Sequence, residues 1–178
     1  MHELSDRELF KAIEYAKNID EEYGRTILEK FQTDQPGLAQ TMFNIFPSVI
    51  AEQNKDMAYL FMDMCFDVIC IYQHAFGNTP ALDEMNTDWL EKQVALLEAE
   101  LQAIMPKNAM DTKFRDKLQS RMIQRENDEI IQHGLIKFMN SWIDEFAAET
   151  PGATETIEVT QKMMKVVIRL FNSLYTYA

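Results

Sequence analysis

One stretch of about 30 residues, 47–77, constrains this chain more than any other, because it is apolar around most of a helical circumference. Pro47 suits the first turn of a helix and Gly77 suits its stop. Wound as a helix, the stretch places Val, Ile, Leu, Met, Phe, Cys and Tyr on every side but one. The remaining side is a narrow polar stripe of Glu52, Asp56, Asp63, Asp67 and His74. A helix with so little polar surface needs neighbours on several sides, so the pattern predicts a central position in a bundle. Asp63 and Asp67 interrupt its most apolar run. No stretch approaches the roughly 20 apolar residues of a membrane span, and the first ten residues hold no signal-peptide core.

The remainder reads as amphipathic helices. Ser5 and Glu8 form a capping box, with Leu4 and Leu9 placed for a hydrophobic staple. Leu9, Ile13 and Ala16 continue a helical stripe, and Gly24 is placed to end or kink that helix. Ile27, Leu28 and Phe31 extend the pattern to a turn at 33–37, followed by a short helix over about 38–46. After Gly77 a loop reaches about residue 86, and Thr87 caps a helix whose Leu90, Val94, Leu97, Leu101 and Ile104 make a short heptad seam. Asn108 and Asp111 open a further helix ending near 149, striped by Ile131, Leu135, Phe138, Trp142 and Phe146, with room for a break near Asn127 or Gly134. Residues 150–152 are a turn. The last helix, about 155–175, has a polar face of Glu158, Lys162, Lys165, Arg169 and Asn172.

No segment alternates as a strand does. With five Gly and five Pro in 178 residues, the chain is also too poor in turn formers for a sandwich or barrel. The expectation is an all-α fold: one domain, 1–178, of six or seven helices around a central hydrophobic helix at about 47–76. The C-terminal helix should pack on that helix. A chain of this length buries about 70% of the surface its unfolded form exposes, so it can fold without a disulfide or a metal. Cys65 and Cys70, about 140° apart on one helix, cannot pair with each other and read as buried thiols in a reducing cytoplasm.

The net charge is −12, and it is uneven. Residues 1–105 hold 7 basic and 19 acidic side chains, whereas residues 106–178 hold 10 of each. Such a surface repels phosphate backbones and anionic membranes, so neither nucleic acid nor membrane is an expected partner. One basic island, Lys107, Lys113, Arg115, Lys117, Arg121 and Arg125, suits docking on an acidic surface or plain solvation.

Three constellations could carry chemistry. Asp56, Asp63, Asp67 and His74 are separated by seven, four and seven residues and so share one helical face. Carboxylates and imidazole suit Mg²⁺, Mn²⁺ or iron, although neither the Glu-x-x-His pairs of di-iron bundles nor the Asp-Asp-x-x-Asp run of terpene synthases is present. The simpler reading is a solvated strip. The Glu126/Glu129 and Glu155/Glu158 pairs resemble the acidic pairs that hold Mg²⁺ in all-α nucleotide pyrophosphohydrolases, yet they depart from that pattern. His133 stands four residues after Glu129, and His2 lies at a terminus expected to fray. There is no Gly-x-Ser-x-Gly and no Gly-rich phosphate loop; Ser5 and Ser48 read as caps.

Twelve methionines, among them Met57, Met62, Met64, Met163 and Met164, suit core filling or a pliable apolar pocket. The expectation from these features is a non-catalytic, self-associating protein-interaction domain without a cofactor, its interface on the 90–104 seam or the C-terminal helix. The alternative is a metal-dependent hydrolase of a phosphate-bearing small molecule using Asp63, Asp67 and His74. A binder of a small apolar ligand is the third reading.

Overall fold

A computed structural model describes residues 1–81 and 130–177. Every regular element among them is helical, and there is no strand. Helix α1 (Asp6–Lys17) starts at the expected capping box. Ser5 accepts from the Glu8 backbone, and Glu8 Oε2 accepts from the Ser5 N–H at 2.9 Å. Leu4 and Leu9 are both buried beside it.

Gly24 does not end this helix. The chain breaks earlier, at residues 18–20, where the Asp20 side chain accepts the Tyr23 N–H at 2.9 Å and starts α2 (Glu21–Asp34). Asp is a strong N-cap and Gly a weak stop inside a helix, so the cap decides the boundary. Gly24 instead permits a close approach: a Cβ there would stand 3.3 Å from Phe66 Cζ.

Residues 36–51 form one continuous but irregular helical stretch. It comprises α3 (Pro36–Gln40), a π-helical turn (Thr41–Ile45) and α4 (Phe46–Ala51). The Phe46 N–H reaches back five residues to the Thr41 carbonyl, immediately before Pro47, which has no N–H and would crowd the carbonyl four residues back. Widening one turn relieves that conflict. Ser48 is not a cap; its hydroxyl donates to the Asn44 carbonyl at 2.6 Å.

The apolar stretch is not one helix over 47–76. It breaks at residues 52–54, and the central helix α5 spans Lys55–Phe76. Asn54 supplies the cap, accepting from the Met57 N–H at 2.9 Å. Gly77, at φ 94°, ends α5 as expected. Buried Met57, Phe61, Met64, Cys65, Val68, Ile69 and Tyr72 put α5 in the middle of the core.

Helix α6 (His133–Glu149) begins after non-helical residues 130–132. A turn with Gly152 at φ 74° and a short 3₁₀ turn (Thr154–Thr156) then lead into α7 (Ile157–Tyr177). Helix α6 runs antiparallel to α5, since Asn54 at the start of α5 donates to the Pro151 carbonyl just past the end of α6. Helix α7 runs parallel to α5: the Tyr72 hydroxyl meets the Ile168 carbonyl and Asn172 Oδ1, and the Tyr175 hydroxyl donates to the Gly77 carbonyl at 3.1 Å. Phe31 from α2 stacks on Phe171 of α7, with ring centroids 5.7 Å apart.

The C-terminal helix packs on the central helix, as expected, but it is not left partly open. Met163, Met164, Val167, Ile168, Phe171 and Leu174 are all at most 1% exposed. Its expected polar face holds only at its beginning: Glu158 and Lys162 are exposed, whereas Arg169 and Asn172 are buried. Asn172 donates to the Ile130 carbonyl at 2.9 Å and so fixes the segment that enters α6. Among the described residues, no helix is long and apolar enough to cross a membrane.

Candidate functional site

The polar stripe of α5 is the one sequence-predicted constellation that the described residues contain whole, and it divides in two. Asp56 and Asp63 are exposed. Asp67, one turn beyond Asp63, is buried at 8% exposure. Helix α1 lies over that part of α5, antiparallel to it. Its last residue, Lys17, places Nζ 2.8 Å from Asp67 Oδ2 and 3.4 Å from the ring centroid of Trp142 on α6. The ammonium thus bridges a carboxylate and an aromatic face.

Burial pushes the Asp67 carboxyl above its ordinary range; the Lys17 hydrogen bond and charge pull it down, and Asp63 adds to the rise. The expected solvated strip therefore holds only for Asp56 and Asp63. For Asp67 it fails, because α1 and α6 converge there.

His74 is also committed, though exposed. Its ring stacks on Tyr15 of α1 with centroids 4.6 Å apart and planes at 23°. The Tyr15 hydroxyl is pushed up to about 12, first by burial and then by its hydrogen bond with Tyr23. Asp63, Asp67 and His74 therefore do not converge on a common point: one faces solvent, one holds an ammonium, and one lies flat against a ring. Among the described residues, no group of three or more His, Cys, Asp or Glu side chains is arranged to hold a metal ion.

The other constellations disperse. Glu158 pairs with Lys162 on its own helix at 2.5 Å, and Glu155 lies in the 3₁₀ turn before it. Glu126 and Glu129, the basic island and the 90–104 seam lie outside the described residues. His133 takes a carboxylate from the N-terminal segment. Glu3 Oε1 lies 3.1 Å from His133 Nδ1 and accepts the His133 backbone N–H at 3.2 Å. A distant acid thus satisfies a free amide at the start of α6, where negative charge is favoured.

The N-terminus is docked rather than frayed. Gln132, itself buried, accepts the Leu4 N–H and donates to the His2 carbonyl, each at 2.8 Å. Nothing in the sequence marked these partners, because they lie about 130 positions apart.

Cys65 and Cys70 are free and buried. Burial pushes the Cys65 thiol well up and the Cys70 thiol to about 12, so neither is a ready nucleophile. Met57, Met64, Met163 and Met164 pack into the core, and Met62 is half-buried. An open groove of about 540 Å³ runs along α6 between Lys137, Asn140, Ser141 and Lys165. His133 also lines it, and its one carboxylate, Asp144, accepts from Gln161 at 2.8 Å. The chain matches no family model, no curated protein and no solved structure.

Proposed function

We propose that this chain is a non-catalytic protein-interaction domain. The observation that carries the reading is how the stripe of α5 is spent. The residues best suited to metal or acid–base chemistry, Asp67 and His74, hold α1 in place, while Asp56 and Asp63 on the same face are exposed among the described residues. A catalytic carboxylate needs access to substrate and a partner that moves protons, whereas Asp67 has a lysine and a burying wall. The buried free thiols support a cytoplasmic setting.

Self-association remains one form of this function. Of its two expected surfaces, the core face of α7 is buried among the described residues, and the 90–104 seam lies outside them. Sedimentation equilibrium tests it: a mass of 20.8 kDa at every concentration excludes a homodimer and leaves a different protein as partner.

Thermal melts with and without Mn²⁺ or Mg²⁺ test the domain against the metal-dependent hydrolase. A ligand that binds only the folded state raises the melting temperature by mass action. The interaction reading expects equal melting with and without metal. A rise in the wild type that disappears in Asp63→Asn would overturn it in favour of the hydrolase.

A further inference from the structure

Among the described residues, α1 covers the half of the α5 stripe that runs from Asp67 to His74, and much of its hold is polar. Lys17 pairs with Asp67, and Tyr15 stacks on His74. Ahead of α1, Gln132 clamps the Leu4 N–H and the His2 carbonyl, and Glu3 meets His133. The buried side chains of α1 itself are Leu9, Ala12 and Ala16, whereas α5 buries twelve. Two of those three are alanines, whose single methyl groups remove little apolar surface from water.

Helices α1 and α2 are also capped separately at the corner that joins them. Asn18 Nδ2 donates to the Glu14 carbonyl at 2.7 Å on one side, and Asp20 accepts the Tyr23 N–H on the other. Gly24 keeps the start of α2 seated against Phe66 of α5, and a Tyr15–Tyr23 hydrogen bond spans the corner. Helix α1 can therefore leave without unwinding α2.

We propose that α1, with residues 1–5, is a strap that opens as a unit at residues 18–20 while α2 to α7 stay folded. Elements held by few buried apolar groups open at lower free energy than the core they cover. Opening uncovers Asp67, Cys70 and His74 together, so the strap controls access to a carboxylate, a thiol and an imidazole on one face of α5. The inference stands apart from the interaction reading and survives its failure.

The two buried thiols report on such an opening differently. Around α5, Cys70 lies about 60° from Asp67 and about 40° from His74, beneath α1, and Tyr15 is near enough to act on it electrostatically. Cys65 lies about 160° from Asp67, on the opposite side of the helix.

The test incubates the full chain with iodoacetamide in increasing urea below the unfolding transition. Initial rates are taken relative to those of the unfolded chain, and peptide fragmentation assigns each label to Cys65 or Cys70. Cys70 should react at least about tenfold faster than Cys65 and with a shallower rise in urea, because opening α1 exposes less surface than unfolding does. Amides of residues 8–17 should exchange with the same shallow dependence on urea. Lys17→Met removes one clamp and should raise the Cys70 rate more than about tenfold, as breaking one partner of a part-buried pair does. Ile168→Val thins the core equally in the open and closed forms, so it should raise the Cys65 rate about fivefold and the Cys70 rate less than about twofold.

Equal rates and equal urea slopes for the two thiols would overturn the proposal, since α1 would then open only with the whole fold. Fast labelling of Cys70 while the amides of 8–17 stay protected would also overturn it, as would a Cys70 rate that rises with Ile168→Val as much as that of Cys65. The wild-type comparison decides between these outcomes even where a variant fails to fold.

Discussion

Asp67 and Asp63 are four residues apart on one face of one helix, yet one holds a lysine in a buried layer and the other meets water. The cause is length. Helix α1 has 12 residues and extends about 18 Å, whereas α5 has 22 and extends about 33 Å. Starting near Phe76, where His2 packs edge-on against the ring, α1 ends at Asp67. Identical chemistry on a periodic stripe therefore acquires opposite roles from where a neighbouring helix stops. The lesson for reading such stripes is that spacing establishes a shared face, while coverage establishes whether that face is structure or surface.

The largest expected effect breaks the covered half. Lys17→Met keeps an apolar stem against Trp142 but leaves Asp67 buried without its cation. Removing one partner of a buried pair typically costs 3–5 kcal/mol; Lys17 is part-exposed, so about 2 kcal/mol is expected in urea denaturation at neutral pH. The pH dependence has a definite sign. Without Lys17 the Asp67 carboxyl lies further above its ordinary value of 3.8, so folding favours its protonated form more strongly. The loss should be full at neutral pH and fade as pH falls toward and below that value. Adding Asp67→Asn should restore most of the stability at neutral pH. A loss that stays constant across this range would show that packing, not charge, joins α1 to α5.

Next comes the start of α1, the element that does the covering. Ser5→Ala should cost about 1 kcal/mol, read from the denaturation midpoint. The Ser5 side chain and backbone N–H hold the Glu8 carboxyl down at about 2, with a smaller contribution from His2. A carboxyl lowered on folding contributes stability above its ordinary value of 4.5 and loses it as pH falls toward about 2. The wild type should therefore lose stability across that window, and Ser5→Ala should lose less. This acid limb runs opposite to that of Asp67.

The corner that ends the coverage gives a smaller effect. Gly24→Ala gains up to about 1 kcal/mol of helix propensity but brings a Cβ within 3.3 Å of Phe66 Cζ. Phe66 is half-buried and can yield, so a net gain of about 0.5 kcal/mol is expected by thermal melting. A net loss would mean that the corner is rigid and the boundary between the two halves is fixed.

The smallest effect sharpens the open half. Asp63→Asn should change stability by no more than about 0.5 kcal/mol, because it alters an exposed side chain without an ion pair among the described residues. A change as large as that for Lys17→Met would make the two halves equivalent and remove the basis of the comparison.

Local signals carried much of the architecture. The capping box at Ser5 and Glu8, the stop at Gly77 and the turn at 150–152 depend on neighbours within a few positions, and all are where the pattern places them; the apolar central helix is present but starts at Lys55 rather than near residue 47. The break at 52–54 was visible as a polar run, Glu52 to Asp56, but the apolar residues around it suggested continuity; Asn54 decided otherwise by capping α5. Asp20 likewise outweighed Gly24.

The candidate site was legible only as a face. Periodicity put Asp56, Asp63, Asp67 and His74 on one side of a helix, because 3.6 residues per turn is a local property of the backbone. The sequence by itself thus determined that the chain is helical, which helix is most apolar and where its polar side lies. Only the tertiary structure decided that Lys17, 50 positions away, would bury Asp67 beside Trp142, that Glu3 would seat on His133, and that Arg169 and Asn172 would turn inward. Those outcomes depend on the lengths and crossing positions of separate helices. No single segment encodes such quantities, because each arises from how all the apolar faces are buried together.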